Sequence, residues 1–126
     1  MFNSGGFFML SGKIIFADLD GKGNEQRGKH PAIVLKYVTG TALAIVVPLT
    51  SNLDVGEKFG MTYLIRPSID NGLKTYSVAQ VFQINSCSTS RFERDSATGE
   101  IKTLGKLSED DKKAIEAIIK EQMKFQ

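Results

Sequence analysis

The residues of this chain that could do chemistry are concentrated in one short polar segment, residues 23–31. The segment reads Gly-Asn-Glu-Gln-Arg-Gly-Lys-His-Pro and contains His30, the single histidine of the chain. Histidine is the side chain whose charge most readily changes near neutral pH, so it can serve as an acid or a base. An apolar stretch, residues 32–35, follows at once. A polar, basic, glycine-rich loop in front of a rigid strand is a common way to present chemistry to a ligand.

Predicted strands surround this segment and would hold it in place. Residues 13–18 form the first predicted strand, and the turn at residues 20–23 closes it. Residues 32–37 and 41–49 then form a predicted hairpin around the turn Thr39-Gly40. Both arms are almost continuously apolar, which indicates strands buried on both faces, as inside a small barrel.

The middle of the chain predicts further strands separated by loops. We expect a polar loop over residues 52–60, a fourth strand over 61–65 and a fifth over 76–86. Turns follow between residues 95 and 105, around a short apolar stretch at 101–104.

The end of the chain predicts an α-helix. Ser108 can cap the first turn, and Asp111 stands at the position that completes a capping box. An apolar stripe at helical spacing follows and would dock against the sheet; it consists of Ile115, Ile118, Ile119 and Met123. The predicted architecture is a mostly antiparallel β-barrel of five to seven strands with a C-terminal helix. Residues 1–11 are expected to form an N-terminal extension and residues 12–126 a single domain.

The composition limits the classes of protein to consider. The chain has 126 residues, of which 41% are hydrophobic and 24% charged, and its net charge is +2, as in an ordinary single-domain globular protein. Its one cysteine, Cys87, excludes an internal disulfide, and no Cys/His pattern has zinc spacing. A reducing cytoplasm is therefore the expected setting, although a bacterial surface protein could also lack disulfides. The apolar run at residues 7–10 is too short to cross a membrane.

Several ordered motifs resemble those of the MazF/PemK family of toxins from bacterial toxin–antitoxin systems. The resemblance covers nearly all of the chain after residue 11. The motifs are the strand at 12–20, the loop and strand at 23–35, Val-Pro-Leu-Thr-Ser at 47–51, Gly72-Leu73, Ser77-Val78, Gln83-Ile84, Arg91-Phe92, and the segment 104–111.

The resemblance implies both a fold and an activity. The fold would be a small SH3-like antiparallel barrel of the MazF/PemK/CcdB-like type, spanning residues 12–126. The activity would be that of a metal-independent endoribonuclease. It would cleave single-stranded RNA, such as mRNA, to a 2′,3′-cyclic phosphate and a 5′-hydroxyl. The protein would form a homodimer in the cytoplasm, with an antitoxin as its partner and no cofactor.

The resemblance also assigns roles to particular residues. His30 and Thr50 occupy the positions of the family's catalytic arginine and threonine, and Glu25 and Gln26 would brace the loop. Residues expected to contact RNA are Arg27, Lys29, Ser51, Gln83 and Arg91. The chain departs from the family at three of its motif positions. His30 replaces an arginine, Phe82 an acid and Asn85 an arginine.

Structural interpretations of the same residues stay open beside the functional ones. His30 would then be an ordinary loop residue, Arg27 and Lys29 a solvated surface, and Thr50-Ser51 a strand-ending turn. Phe82 is interpreted as a core residue rather than as a platform for a base. Gln83 could be a buried amide, and Arg91 could pair with an acid near the helix.

Two other functions are also compatible with the resemblance. One is a module that binds RNA or an antitoxin peptide without cleaving, because the family's arginine is replaced at His30. The other is a gyrase poison of the same fold. The second ranks last, since such toxins use a tryptophan near the C-terminus and this chain has none.

Overall fold

A computed structural model describes residues 10–19 and 29–122 of the chain. Most of the chain forms strands and its end forms a helix, as the sequence predicts, with two additional single turns of 3₁₀-helix at Val81–Gln83 and Thr89–Arg91. The strands are β1 Lys13–Ala17, β2 His30–Tyr37, β3 Leu43–Thr50, β4 Thr62–Ile65, β5 Ser77–Gln80, β6 Asn85–Ser88 and β7 Thr103–Lys106, and the helices are α1 Asp54–Lys58 and α2 Glu109–Gln122.

The seven strands form one antiparallel sheet. Its hydrogen-bonded order is β4-β5-β3-β2-β1-β7, and β6 pairs with β3 beside that path. The predicted fold, mostly antiparallel β with a C-terminal helix, is confirmed. Within the described residues β4 and β7 are not paired to each other, so the sheet is not closed into the barrel that we expected.

The central hairpin is buried on both faces, as its apolar runs predict. Ile33 and Leu35 point into one hydrophobic cluster, together with Ile14, Val47 and Ile115. The alternate residues of the same strands belong to a second cluster on the opposite face; it includes Ala32, Val34, Val46, Ile15 and Phe92. Successive side chains of a strand point to opposite faces, so a continuous apolar run can fill two cores. Each fully buried isoleucine or valine stabilises the fold by about 1.5–3 kcal/mol.

The predicted fifth strand, residues 76–86, is wrong as a continuous element. β5 pairs with the end of β3, where Thr50 faces Val78, whereas β6 pairs with its beginning, where Leu43 faces Ser88. The register shifts by three residues between these pairings, and the turn Val81–Gln83 takes up the difference. Apolar periodicity does not report such a shift, because the shift depends on which residues of β3 each strand pairs with.

The predicted loop at residues 52–60 contains the short helix α1. Asn52 starts it, because its Oδ1 accepts the backbone N–H of Asp54 at 3.1 Å. None of the residues of α1 is buried. A single exposed turn without an apolar stripe leaves no periodic signal, which is why the sequence indicated only a polar loop.

Helix α2 docks on the sheet as its apolar stripe predicts. Ser108 Oγ accepts the backbone N–H of Asp111 at 3.1 Å and so caps the helix. Ile115 is fully buried, and Ile118 and Ile119 pack partly buried against the same cluster. Met123, the fourth residue of the predicted stripe, lies outside the described residues.

The described part of the N-terminus is joined to the sheet. Leu10 is buried in the first cluster, and the backbone N–H of Ser11 donates to the carbonyl of Leu35 at 2.9 Å. The division between residues 1–11 and 12–126 stays a prediction. In the described ranges we find no helix with the length and apolar character needed to span a membrane.

Candidate functional site

His30 and Thr50 lie at the same end of the central hairpin. His30 begins β2 and Thr50 ends β3. At this end the pairing of the two strands reaches Ala32 and Pro48, so His30 and Thr50 each lie two residues beyond the last pair, and both line the same two cavities. The fold therefore brings together the two positions that the resemblance assigned to catalysis.

A first cavity of about 350 Å³ opens on one side of this pair. His30 and Thr50 line it together with three amides from the neighbouring strand ends, Gln80, Gln83 and Asn85. The Nδ2 of Asn85 donates to the carbonyl of Gln83 at 2.9 Å, which holds this wall together. Gln80 ends β5, Gln83 ends the 3₁₀ turn and Asn85 begins β6, so this wall is built where the register shifts.

A second cavity of about 490 Å³ opens on the other side of the same pair. His30 and Thr50 line it again, now with Ser51, Lys74 and Thr75. The two cavities share His30, Leu49 and Thr50, so they adjoin at the end of the hairpin, and together they are called the groove. A groove of this kind suits an extended ligand better than a small compact one.

The hydroxyl of Thr50 is oriented by the backbone. Its Oγ1 accepts the N–H of Asn52 at 3.1 Å. A hydroxyl that accepts one hydrogen bond keeps its own hydrogen to donate, and in the described residues no acceptor for it is recorded. Thr50 can therefore donate to a ligand in the groove.

The wall that carries Lys74 is fixed by the buried side chain of Asn71. Its Oδ1 accepts the backbone N–H groups of Ser68 and Leu73, at 3.0 and 2.9 Å, and its Nδ2 donates to the carbonyl of Arg66 at 2.9 Å. Gly72 adopts a φ of +72° and presses so closely on β7 that a Cβ would lie 2.2 Å from the carbonyl oxygen of Leu104. The segment before Lys74 is therefore tightly placed.

Among the described residues, the walls of the groove carry positive or neutral side chains. Lys74 and, when protonated, His30 are the cationic groups of the two walls, and no described residue that lines either cavity is a carboxylate. Walls of this kind favour an anionic ligand. Within residues 10–19 and 29–122 no three His, Cys, Asp or Glu side chains cluster as metal ligands would.

The other predicted site residues have three outcomes. Ser51 and Gln83 line the groove. Lys29 and Arg91 are exposed and line neither cavity. Arg91 lies instead near Cys87. Burial raises the pKa of the Cys87 thiol, and the positive charge of Arg91 acts in the opposite direction. The predictions for Glu25, Gln26 and Arg27 fall outside the described residues.

Polar groove residues that were not proposed from the sequence include Lys74, Thr75, Gln80 and Asn85. Lys74 directly follows the Gly72-Leu73 motif, and this position next to a motif is the sequence feature that could have identified it as a site residue. Gln80 precedes the 3₁₀ turn, which sequence patterning did not reveal.

Phe82, where the family resemblance led us to expect an acid, packs on another aromatic ring. It is half-buried, and its ring stacks on Phe59 with 4.8 Å between centroids. Neither phenylalanine lines the two cavities. The chain therefore has an aromatic packing contact at this position and no carboxylate. Among the described wall residues, His30 is then the one best suited to proton transfer at neutral pH.

Comparison with protein families gives one match across almost the whole chain. Residues 10–123 match a family model described as PemK-like, MazF-like toxin of type II toxin–antitoxin system. No curated protein sequence matches the chain significantly.

Proposed function

Because this chain belongs to the PemK-like, MazF-like family of toxins of type II toxin–antitoxin systems, we propose that it is an endoribonuclease that cleaves single-stranded RNA. His30 and Thr50 would carry the reaction, and the groove on both sides of them would hold the strand. Ser51 and Gln83 would contact the RNA backbone or bases within the groove. Arg27, Lys29 and Arg91 would attract the flanking strand by charge, and Glu25 and Gln26 would brace the loop.

The observation that carries the proposal is the character of the groove around His30 and Thr50. Both residues line both cavities, whose described walls hold cations and amides but no carboxylate. RNA carries one negative charge per nucleotide, so such walls attract its backbone. The amides of Gln80, Gln83 and Asn85 offer donors and acceptors for base edges, which are accessible in single strands.

The cleavage step needs one base, one charge stabiliser and one acid. His30 in its neutral form removes the proton of a 2′-hydroxyl, and the 2′ oxygen then forms a bond to the adjacent phosphorus. Thr50 donates a hydrogen bond to a non-bridging phosphate oxygen as negative charge builds up there. The bond from phosphorus to the 5′ oxygen breaks, and that oxygen takes a proton from water.

The imidazolium then gives up its proton and restores that water, so the step consumes no reagent. The products are a 2′,3′-cyclic phosphate and a 5′-hydroxyl. A metal ion is not required by this sequence of steps, because the charge of the phosphorane is met by hydrogen bonds and cations of the groove.

The proposal is tested by incubating the purified protein with a long RNA of mixed sequence in EDTA, without antitoxin. We expect discrete fragments that carry a 5′-hydroxyl and a cyclic phosphate, identified by end-labelling and mass spectrometry. A protein in which Thr50 is replaced by valine controls for contaminating nuclease. Intact RNA at high protein concentration, or cleavage that persists equally in the Thr50→Val protein, would contradict the proposal.

A second candidate is a module of the same fold that binds RNA or an antitoxin peptide without cleaving. The presence of His30 where the resemblance leads us to expect arginine favours it, because imidazole offers fewer donors to phosphate than a guanidinium. The variant His30→Arg discriminates between the two functions. Cleavage that rises from near zero supports the binding module, whereas loss of an existing activity supports a catalytic His30.

The family implies a partner as well as an activity. A toxin of a type II system has an antitoxin as its partner. We propose in addition that the toxin is a homodimer and acts in the cytoplasm, where its RNA substrate is found. Sedimentation of the purified protein, alone and with the product of the neighbouring reading frame, tests the dimer and the partner.

A further inference from the structure

A lysine side chain stands in the wall of the groove without a described acidic partner. Lys74 is exposed and lines the larger cavity with His30, Thr50 and Ser51. No carboxylate in the described residues forms an ion pair with its ammonium group. A cation in this position is available to an anionic ligand.

The backbone before Lys74 is held more firmly than an exposed loop requires. Buried Asn71 makes three hydrogen bonds to it, and the backbone N–H of Lys106 donates to the carbonyl of Asp70 at 2.8 Å. Gly72 and Gly105 lie so close to neighbouring backbone that a Cβ on either would meet it within 2.3 Å. Lys74 thus projects from an anchored base beside the His30–Thr50 pair.

The chemistry proposed above calls for a fixed positive charge at this place. His30 enters the step neutral and becomes a cation only as it takes the 2′ proton, so before that transfer it brings no charge to the phosphate. Thr50 supplies a neutral hydrogen bond only. We propose that Lys74 binds the scissile phosphate and stabilises the charge that develops on it during cleavage, so that proton transfer and charge stabilisation are divided between His30 and Lys74.

This inference rests on the proposed endoribonuclease activity, and two separate assays keep their outcomes apart. The first measures kcat and KM for cleavage of a defined RNA. The second measures affinity for a short mixed-sequence RNA that is 2′-O-methylated throughout and therefore cannot be cleaved, over a range of salt concentrations. The variants are Lys74→Gln and Lys74→Arg. Lys113→Gln is the matched control, because Lys113 is an exposed lysine of α2 that lines neither cavity.

We expect Lys74→Gln to lower kcat by about 10- to 100-fold, since a charge stabiliser acts mainly in the transition state. It should also reduce the slope of log affinity against log salt by about 0.7, the value for one phosphate contact with a single strand. Lys74→Arg should retain most of both properties, and Lys113→Gln should resemble the unaltered protein in both assays.

If the Lys74→Gln protein behaves like the Lys113→Gln protein in both assays, the role assigned to Lys74 is overturned, while the endoribonuclease proposal stays intact. A rise in KM with unchanged kcat would also overturn it, because Lys74 would then bind ground state and transition state alike. If the unaltered protein does not cleave RNA at all, the proposed function fails, and the role of Lys74 in catalysis fails with it. The salt slope of the uncleavable RNA would then show separately whether Lys74 contacts phosphate.

Discussion

His30 and Thr50 lie at the same end of the central hairpin and line the same two cavities. They are twenty residues apart in the sequence, and the antiparallel register of β2 and β3 brings them together. A residue able to transfer protons thus stands beside an oriented hydroxyl within a groove whose described walls lack carboxylates. This arrangement is what the account of RNA cleavage depends on, and the predictions below probe its parts.

Removal of the Thr50 hydroxyl should impair catalysis far more than folding. In Thr50→Val we expect kcat to fall by about 10- to 100-fold, because one hydrogen-bond donor to the developing charge is lost. The bond from the N–H of Asn52 is lost as well, at a cost of about 1 kcal/mol in the free energy of unfolding. Thr50→Ser retains both bonds and should retain most of the activity. Single-turnover cleavage rates and denaturant unfolding of both variants provide the measurements.

Thr103→Val is the matched control for that experiment, because it removes an exposed β7 hydroxyl that lines neither cavity. Equal activities of Thr50→Val and Thr103→Val would show that the Thr50 hydroxyl takes no part in cleavage.

The hydrogen bond between Tyr63 and Asp111 should make the free energy of unfolding depend on pH in the alkaline range. The phenol donates to Asp111 Oδ1 at 2.6 Å, and this bond, with burial and the charges of Asp111 and Asp110, raises the pKa of Tyr63 from 10.0 to about 12. The folded state favours the protonated phenol. The bond therefore makes its full contribution to the free energy of unfolding below pH 10, and this contribution is lost as the pH rises toward 12. At neutral pH, Tyr63→Phe should lower the free energy of unfolding by about 1–2 kcal/mol.

Urea unfolding at neutral pH and at several alkaline pH values measures both effects. The difference between the unaltered protein and Tyr63→Phe should shrink as the pH rises. Tyr76→Phe, which alters an exposed tyrosine, serves as the control and should show no such trend. A difference that stays constant with pH would mean that this hydrogen bond does not couple folding to the ionisation of Tyr63.

Gly72 should tolerate no side chain, in contrast to another glycine of similar backbone conformation. In Gly72→Ala the Cβ would lie 2.2 Å from the Leu104 carbonyl oxygen at a φ of +72°, so we expect a loss of more than about 2 kcal/mol of stability. In Gly40→Ala the φ of +81° is similar but no atom lies within 4 Å, so the loss should be about 1 kcal/mol. Thermal unfolding of the two variants compares them directly. Equal losses would mean that contact with β7 does not hold this segment.

The fold was predictable from the sequence where burial dictates the pattern. The runs at residues 32–35 and 43–49 had to be strands buried on both faces, and the capped stripe after Ser108 had to be a helix. The split between β5 and β6 was not predictable, because it depends on which part of β3 each strand pairs with. Closure of the sheet is likewise a property of pairing between distant strands, which no local pattern reports.

The candidate site was predictable only in part, and for a related reason. The motifs pointed to His30, Thr50, Ser51 and Gln83 because these residues belong to recognisable segments. Lys74 and Gln80 become neighbours of Thr50 only once β5 is paired with β3. Arg91, although it belongs to the Arg91-Phe92 motif, lies near Cys87 and lines neither cavity, since sequence position does not determine which side of the sheet a turn occupies.

The most direct test of the account is the single-turnover rate of RNA cleavage in EDTA by the unaltered protein and by His30→Ala, with Lys113→Ala on the exposed face of α2 as the control. We predict that the unaltered protein cleaves and that His30→Ala is slower by at least about 100-fold, as expected for the loss of a general base. Lys113→Ala should remain close to the unaltered protein, because Lys113 is exposed on α2 and lines neither cavity. A His30→Ala protein that cleaves at the original rate would contradict the account.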